Sequence, residues 1–445
     1  MIRSIAAFVF ILFMVAPALA QPPKDRFLDI QEVISPGGIK AWLVEDHNVP
    51  VISVEFAFAG AGAARDPDGK SGLAQLLSNT LDEGAGDLDA SAFQERLEEI
   101  AMRMSFEDGK DAFYGSVQML SANREKSREL LKFSLNKARV DTDAVGRIRK
   151  QLLANLAYAA RDPSRVASQD WYKIAFPNHP YGRPANGTAE SLASITRDDL
   201  EAYRKRVFAR SNLKVVAVGD IGEATLATLL DDVFGALPAT DGLVPITPTK
   251  LPEKGRQIVV EMPVPQSVAV FGAGAMARKD PDFIPAFVLN HILGGGGFAS
   301  KLMEEGREKR GLAYSVYSYL HPMRSAAVFM GSVATKNESI AQSLDVIRGE
   351  LQRMATEGPS ATDLDNAKKY LIGSFALRFD TNAKIPSQLL SFLQEDLGID
   401  YVDKRNALIE AVTLDDVKRV AKALLHPDNL LVTVVGQPTN LAKGG

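Results

Sequence analysis

The sequence contains no cysteine, only five histidines, and no long apolar run beyond its first twenty residues. Without cysteine the protein cannot form a disulfide framework, a thiolate zinc site or a thiol nucleophile. The formal net charge is −4, from 51 basic and 55 acidic residues that are mixed along the chain, so binding to nucleic acid or to an anionic membrane is not expected. A metal site built from scattered histidines stays open as an alternative, although no two of them lie within one helical turn. The histidines are His47, His179, His291, His321 and His426.

The first twenty residues have the pattern of a cleavable signal peptide. Arg3 gives a positive start, residues 5–15 are almost wholly apolar, and Ala18 and Ala20 form a small-x-small cleavage pattern. The apolar run is too short to cross a hydrocarbon core of about 30 Å. We therefore expect removal of residues 1–20 and a soluble periplasmic protein that is long enough for two or more domains.

The chain repeats itself. Four short motifs recur in the same order at a spacing of about 215 residues, which predicts two homologous halves. The motif pairs are Ala64–Asp68 with Ala277–Asp282, Phe113–Val117 with Phe329–Val333, Thr196–Asp199 with Thr413–Asp416, and Asn212–Gly219 with Asn429–Gly436. We place the N-terminal half at 21–240 and the C-terminal half at 256–445. Between them, residues 241–255 form a proline-rich linker that is either a hinge or a passive connector.

Each half has the same coarse order of predicted elements: a strand, a helix, a second strand, long helices and a valine-rich final strand. In the first half the strands fall at 49–59 and 112–120 with a helix at 71–81, and a Ser91-x-x-Gln94 pattern predicts a capping box for a helix over 91–104. Strands mixed with helices, without strict alternation, predict an α+β fold. We expect two sandwich halves, each a mostly antiparallel sheet covered by helices.

The segment Ser71-Gly-Leu-Ala-Gln-Leu-Leu-Ser-Asn79 resembles the active-site helix of the inverzincin metallopeptidases, the group of pitrilysin, insulinase and the mitochondrial processing peptidase. Members of that family read Gly-Leu-Ala-His-x-x-Glu-His, in which both histidines bind one zinc ion and the glutamate is the general base. A further glutamate, about 76 residues on, completes their site. The corresponding positions in this sequence are Gln75, Ser78, Asn79 and Asn155.

Amide and hydroxyl oxygens are poor ligands for zinc, and without a carboxylate there is no base to activate water. The resemblance therefore implies a chain with no catalytic residues, metal or other cofactor of its own. The four polar residues either lie on an exposed helix face or fill the former cavity and hydrogen-bond one another. The resemblance also implies that the two halves form one side of a clam-shell.

The resemblance extends to a glycine-rich loop and an arginine–tyrosine pair in the second half. Four consecutive glycines can bring backbone groups close to a bound peptide, or they can simply form a turn between helices. No Walker or Rossmann spacing follows them. A guanidinium and a phenol can both donate to a carbonyl oxygen as it gains charge, and the family places such a pair on the substrate. The residues concerned are Gly294, Gly295, Gly296, Gly297, Arg307 and Tyr314.

A lost metal site beside a retained Arg–Tyr pair favours a non-catalytic, substrate-binding subunit of a periplasmic zinc metallopeptidase heterodimer. Such a chain is inactive alone, binds a peptide substrate, and depends on zinc in a homologous partner subunit. The alternative is a stand-alone peptide-binding or scaffold protein derived from a peptidase. An intact metallopeptidase with an unusual site is a third possibility, which the missing ligands disfavour. No membrane association is expected after signal removal.

Overall fold

The computed structural model describes residues 26–441, so the predicted signal peptide lies outside the described residues. The strands are β1 (Gln31–Ile34), β2 (Lys40–Glu45), β3 (Val51–Ala59), β4 (Arg103–Asp108), β5 (Ala112–Leu120), β6 (Leu213–Gly219), β7 (Arg256–Glu261), β8 (Gln266–Gly274), β9 (Ser315–Pro322), β10 (Ala327–Lys336) and β11 (Leu431–Gly436). The α-helices are α1 (Leu73–Ser78), α2 (Ala90–Glu99), α3 (Arg124–Asn136), α4 (Thr142–Ala159), α5 (Pro163–Ala175), α6 (Ala189–Ser194), α7 (Arg197–Val207), α8 (Glu223–Phe234), α9 (Phe283–Asn290), α10 (Lys301–Met303), α11 (Ile340–Thr356), α12 (Ala361–Gly373), α13 (Ile385–Gln394), α14 (Tyr401–Glu410) and α15 (Leu414–Leu424).

The strands form two sheets with the same topology. The first sheet has the order β1-β2-β6-β3-β5-β4 and the second has the order β7-β11-β8-β10-β9. Neighbouring strands are antiparallel except for β2 with β6 and β7 with β11, which are parallel. When the additional edge strand β1 is set aside, the two orders match strand for strand. The predicted fold class, two α+β halves with mostly antiparallel sheets covered by helices, is confirmed.

A repeated glycine leaves space for a phenylalanine ring in each half. A Cβ atom on Gly115 of β5 would lie 2.1 Å from the ring of Phe56 on β3, and one on Gly331 of β10 would lie 2.2 Å from the ring of Phe271 on β8. Both rings are fully buried. Because no side chain fits between ring and strand, this repeated motif is a packing requirement of the core.

The repeated Thr-x-x-Asp motif caps a helix in each half. At the start of α7, Thr196 Oγ1 accepts a hydrogen bond from the backbone N–H of Asp199 at 3.2 Å, while the Asp199 carboxylate accepts one from the N–H of Thr196 at 2.7 Å. Thr413 and Asp416 form the same reciprocal pair at the start of α15. Both boxes satisfy N–H groups that a helix leaves without internal partners.

Two expected helix boundaries were wrong. The helix predicted over 91–104 is α2, which ends at Glu99, and its N-cap is Asp89 rather than Ser91 because the Asp89 carboxylate accepts the N–H of Ala92. The helix predicted over 71–81 is the six-residue α1, which begins after Gly72 in a left-handed conformation. Residues beyond 78 continue as turns rather than as helix.

The inner face of each sheet packs on helices of its own half, but the outer face packs on a helix from the other half. On the first sheet, Leu389 and Leu390 of α13 join Trp42 of β2 and Val216 and Val218 of β6 in one buried cluster. The C-terminal half thus supplies the cover for the N-terminal sheet. Apolar side chains on both faces make this sheet a buried central layer.

The reverse exchange covers the second sheet. Trp171 of α5 is fully buried against Val270 and Leu431, in a cluster that also contains Ala167. Its indole Nε1–H donates to the carbonyl oxygen of Leu431 at 2.9 Å. A Cβ atom on Gly272 would lie 2.6 Å from the same indole, so β8 is shaped to receive it. Each half therefore contributes one helix that covers the sheet of the other half.

The segment 241–255 that joins the halves has neither helix nor strand. Two hydrogen bonds hold it, since Arg65 donates to the carbonyl of Val244 and the N–H of Thr249 donates to the carbonyl of Ser325 at 2.8 Å. In addition, Leu251 is buried in the same apolar cluster as Trp171. The domain boundaries at 240 and 256 remain predictions.

Candidate functional site

The site expected in the first half is organised by a buried carboxylate at the start of α1. Asp66 accepts hydrogen bonds from the backbone N–H groups of Gly72, Leu73 and Ala74, at 2.7, 3.2 and 3.0 Å. Burial raises the pKa of Asp66 to about 7 in spite of these three donors. Asp66, which lies in the repeated motif Ala64–Asp68, therefore fixes where α1 begins.

The polar residues at the end of α1 bond mainly to one another and to the helix backbone. Asn79 Nδ2 donates to the carbonyl of Gln75 at 2.9 Å and lies 3.2 Å from Ser78 Oγ. Ser78 Oγ lies 2.9 Å from the same carbonyl and 3.2 Å from Asp108 Oδ1. Ser78 is buried, whereas Asn79 occupies the C-cap position.

Asp108, at the end of edge strand β4, is a carboxylate that sequence reasoning missed. Burial raises the pKa of Asp108 to about 6. The sequence signal for Asp108 was its position in the alternation of the strand: Met104, Phe106 and Asp108 share one face, and Phe106 is buried. A charged residue on the apolar side of an alternating strand is unusual enough to mark a site.

Gln75 and Asn155, far apart in sequence, both line one cavity of about 380 Å³ between α1 and α4. No hydrogen bond joins their side chains, so only part of the expected mutual bonding is present. Oxygens of neutral amides and one hydroxyl do not fit zinc, which prefers imidazole, thiolate and carboxylate. Within residues 26–441 there is also no group of three His, Cys, Asp or Glu side chains placed to hold a metal ion.

The glycine loop of the second half lies against edge strand β9. After α9 the chain enters a π-helical turn at His291–Gly295, and a 3₁₀ turn follows at Gly297–Ala299. A Cβ atom on Gly294 would lie 2.4 Å from Ser318 Oγ and 2.6 Å from the Ser318 backbone nitrogen. Asn290 completes the contact by donating to the carbonyl of Ser318 at 3.2 Å and accepting from its hydroxyl at 2.8 Å. The first glycine therefore allows close approach of loop and strand.

Arg307 and Tyr314 are brought together with Phe298, which follows the glycines directly. The Arg307 guanidinium carbon lies 4.7 Å from the Phe298 ring centre and 4.9 Å from the Tyr314 ring centre. Arg307 Nη1 also donates to the carbonyl of Tyr314 at 3.2 Å. Both rings are largely exposed, at 64% for Phe298 and 78% for Tyr314. We call these three residues the Arg–aromatic cluster.

The Arg–aromatic cluster is built on an irregular backbone. Arg307 lies in a second π-helical turn, Glu304–Glu308, and such turns often occur at functional sites. Contacts with two aromatic rings orient the planar guanidinium. Phe298 was missed as a member of the cluster; its position directly after four glycines was the only signal for it.

Comparisons with known proteins agree with this architecture. The sequence model of the Peptidase M16 inactive domain matches residues 194–371. A non-peptidase homologue of Helicobacter pylori is 27% identical over 393 residues, which cover 88% of this chain and 90% of that protein. An uncharacterized zinc protease of Streptomyces coelicolor is 25% identical over 407 residues, 89% of this chain and 87% of that protein.

Among solved structures, a peptidase M16 inactive domain from Pseudomonas fluorescens superposes with a TM-score of 0.87 at 29% identity, covering 94% of this chain and 99% of that one. A protease from Helicobacter pylori has the same fold, with a TM-score of 0.83 at 19% identity over 92% of this chain and 99% of that one. These matches confirm the resemblance to the M16 metallopeptidases, the inverzincin group, that the sequence predicts. They support a non-catalytic, peptidase-derived protein.

No helix within the described part of the chain is long and apolar enough to cross a membrane.

Proposed function

We propose that this protein is the substrate-binding, non-catalytic subunit of a periplasmic zinc metallopeptidase heterodimer. The observation that supports it is an asymmetry between the halves. The helix that would hold zinc carries Gln75, Ser78 and Asn79, whereas the second half retains a half-buried, oriented guanidinium at Arg307 against the exposed ring of Tyr314. Exposed aromatic rings around a cation would have no function in a protein that kept only the fold of a peptidase.

The proposed contribution of the chain is electrostatic. Arg307 makes one hydrogen bond within the described residues, so its other N–H groups can donate to a peptide carbonyl. The Tyr314 hydroxyl is a second donor, and Gly297, where a Cβ atom would have nothing within 4 Å, leaves room for a peptide backbone to approach. Donors that are already oriented stabilise a carbonyl oxygen as it gains negative charge without being reorganised during the reaction. The partner's zinc site would carry out the hydrolysis.

The test is co-expression with a zinc-bearing homologue and measurement of kcat/KM per assembled complex. We expect Arg307→Ala and Tyr314→Phe each to lower kcat/KM about 10²- to 10³-fold. Arg307→Lys should rescue only in part, because an ammonium lacks the planar fork. Arg310→Ala is the matched control, since Arg310 is exposed on the same segment and pairs with Glu305.

Assembly, measured by sedimentation, and zinc content should stay normal in all four variants. Near-normal turnover by assembled Arg307→Ala complexes would contradict the proposed role. The second candidate function, a stand-alone peptide-binding or scaffold protein, predicts no association at micromolar concentration with any zinc-bearing homologue.

A further inference from the structure

A cavity of about 430 Å³ lies between the two halves and the segment 241–255 that joins them, which we call the joining segment. Its wall comes from the end of β3 and the start of β6, from the turn between β9 and β10, and from the joining segment, where Leu243 and Ile246 form an apolar side. None of the described residues that line it belongs to α1 or to the Arg–aromatic cluster. Its volume is within the usual range of small-ligand sites.

Two arginines line this cavity without a carboxylate partner. Arg65 uses Nε and Nη1 on the backbone carbonyls of Gly60 and Val244. The side chain of Arg324 makes no hydrogen bond or ion pair within residues 26–441. A Cβ atom on Gly60 would lie 3.9 Å from Arg65 Nη2 and 3.9 Å from Arg324 Nε, so both guanidiniums lie beside this glycine. Burial lowers the pKa of Arg65, as expected for a cation without an ion pair.

Two aspartates line the same cavity and are also without an ion pair in the described chain. Asp111 accepts hydrogen bonds from the hydroxyl of Tyr181 at 2.7 Å and from the backbone N–H of Arg324 at 3.1 Å. Asp241 accepts one from the hydroxyl of Ser211 at 2.8 Å. Because these donors are neutral, both negative charges remain uncompensated.

The balance of charge indicates the kind of ligand that fits. The other oppositely charged residues of the lining, Lys214 and Asp396, already form an ion pair at 3.2 Å. The unpaired charges are therefore two of each sign. A simple anion would meet the aspartates and a simple cation would meet the arginines, whereas a ligand that carries one charge of each sign can satisfy both.

The internal repeat shows that these charges are not a requirement of the fold. The equivalent cavity of the second half has a volume of about 320 Å³ and is lined by Asn429, as the first is lined by the corresponding Asn212. In this second cavity Ala327 occupies the position of Asp111, and the described lining contains no arginine and no aspartate. A charge that folding required would be expected in both halves.

We propose that the cavity between the halves binds a free α-amino acid in its zwitterionic form. The guanidiniums of Arg65 and Arg324 hold its carboxylate, and the carboxylates of Asp111 and Asp241 hold its ammonium group. An aliphatic side chain packs on the apolar side that the joining segment forms. This inference goes beyond the proposed function and does not rest on it, because it involves neither a partner subunit nor the Arg–aromatic cluster.

The experiment is isothermal titration calorimetry of the chain without residues 1–20, with L-leucine as the probe at pH 7. We expect a Kd between about 10 µM and 1 mM, as for a small ligand held by a few polar contacts. The analogue 4-methylpentanoate lacks the ammonium group, and 3-methylbutylamine lacks the carboxylate. Each should bind about ten-fold or more weakly than leucine, because each loses charge-assisted hydrogen bonds. These comparisons use the native chain, so they do not depend on the folding of a variant.

Two variants assign the two charges of the ligand to the two sides of the cavity. Arg324→Gln and Asp241→Asn should each weaken leucine binding about ten- to a hundred-fold. Asp241→Asn should reduce the preference for leucine over 4-methylpentanoate, whereas Arg324→Gln should reduce the preference for leucine over 3-methylbutylamine. Arg161→Gln is the control, since Arg161 is an exposed arginine outside the cavity, and it should change nothing.

Thermal midpoints show whether the variants are folded. The proposal is overturned if leucine does not bind the native chain, or if either analogue binds as tightly as leucine. It is also overturned if folded Arg324→Gln and Asp241→Asn both bind leucine with native affinity, or if inorganic phosphate saturates the cavity and leucine does not. None of these results would bear on the proposed function, which is tested through Arg307 and Tyr314.

Discussion

Replacing Trp171 by alanine should remove much of the stability of the whole protein. The side chain is fully buried against a sheet of the other half, and its indole N–H is a hydrogen-bond donor to the Leu431 carbonyl. Truncating a buried tryptophan costs about 3–5 kcal/mol, and a buried carbonyl that loses its partner adds about 1 kcal/mol. The sum, about 4–6 kcal/mol, is comparable with the entire stability of many natural domains.

The reciprocal change, Leu389→Ala on α13, should cost about 2–5 kcal/mol for the same reason. Because α5 and α13 connect the halves in both directions, either change should destabilise both sheets together. The chain has only two tryptophans, Trp42 at the α13 contact and Trp171 at the α5 contact. Trp42→Phe therefore leaves a reporter on the second sheet, and Trp171→Phe leaves one on the first.

Urea unfolding followed by fluorescence in these two single-tryptophan proteins is the assay. We expect the two proteins to unfold in coincident transitions. Leu389→Ala should lower the free energy of unfolding by the same amount in both of them. Leu377→Ala is the matched control, because Leu377 is largely exposed and its loss should change stability by less than about 0.5 kcal/mol. If Leu389→Ala moves only the transition reported by Trp42, the halves unfold independently and the reasoning fails.

Three further outcomes are expected. The chain purified alone should retain no stoichiometric zinc by elemental analysis and no chelator-sensitive peptidase activity; one tightly held zinc per chain would refute the interpretation of α1. Burial raises the pKa of Asp108 to about 6, so in the folded protein its carboxyl keeps a proton that the unfolded chain releases above about pH 4. The free energy of unfolding of the native protein should therefore fall as the pH rises from about 4 to above about 6. Asp108→Asn should therefore gain about 1–3 kcal/mol relative to the native protein on going from about pH 4 to about pH 8 in urea unfolding, and a gain independent of pH would contradict this. Gly294→Ala should lower the free energy of unfolding by about 1–3 kcal/mol, because the new Cβ atom would meet Ser318. Gly349→Ala is the control and should cost nothing, since the space around Gly349 is open. Equal thermal midpoints for the two variants would disprove the close contact.

Much of the fold could be read from the sequence because the information was local. Strand β5 was predicted with its observed bounds, since alternation of apolar residues is a direct consequence of the pleat. The internal repeat predicted that the two halves have matching topologies. Its Thr-x-x-Asp motifs cap helices, and its glycines on β5 and β10 leave space for a phenylalanine ring. The length of α1 was missed because Asp66 and Gly72, rather than helix propensity, set where it starts.

The rest could not be read because it depends on distant partners. An amphipathic pattern shows that Pro163–Ala175 has an apolar face, but nothing in it says which sheet the face covers. Likewise, the pairing of Phe298 with Arg307 requires the turn that the glycine loop makes. Whether Gln75 and Asn155 bond to each other or face an open cavity is a question of a few ångströms, which residue types do not determine.

The exchange of α5 and α13 also limits how the protein can move. The chain passes from one half to the other and back at both exchanged helices, in addition to the single passage through 241–255. A rotation of one half about that linker would have to pull two buried helices off their sheets. The halves should therefore move as one rigid body, and the segment 241–255 should act as a connector rather than as a hinge.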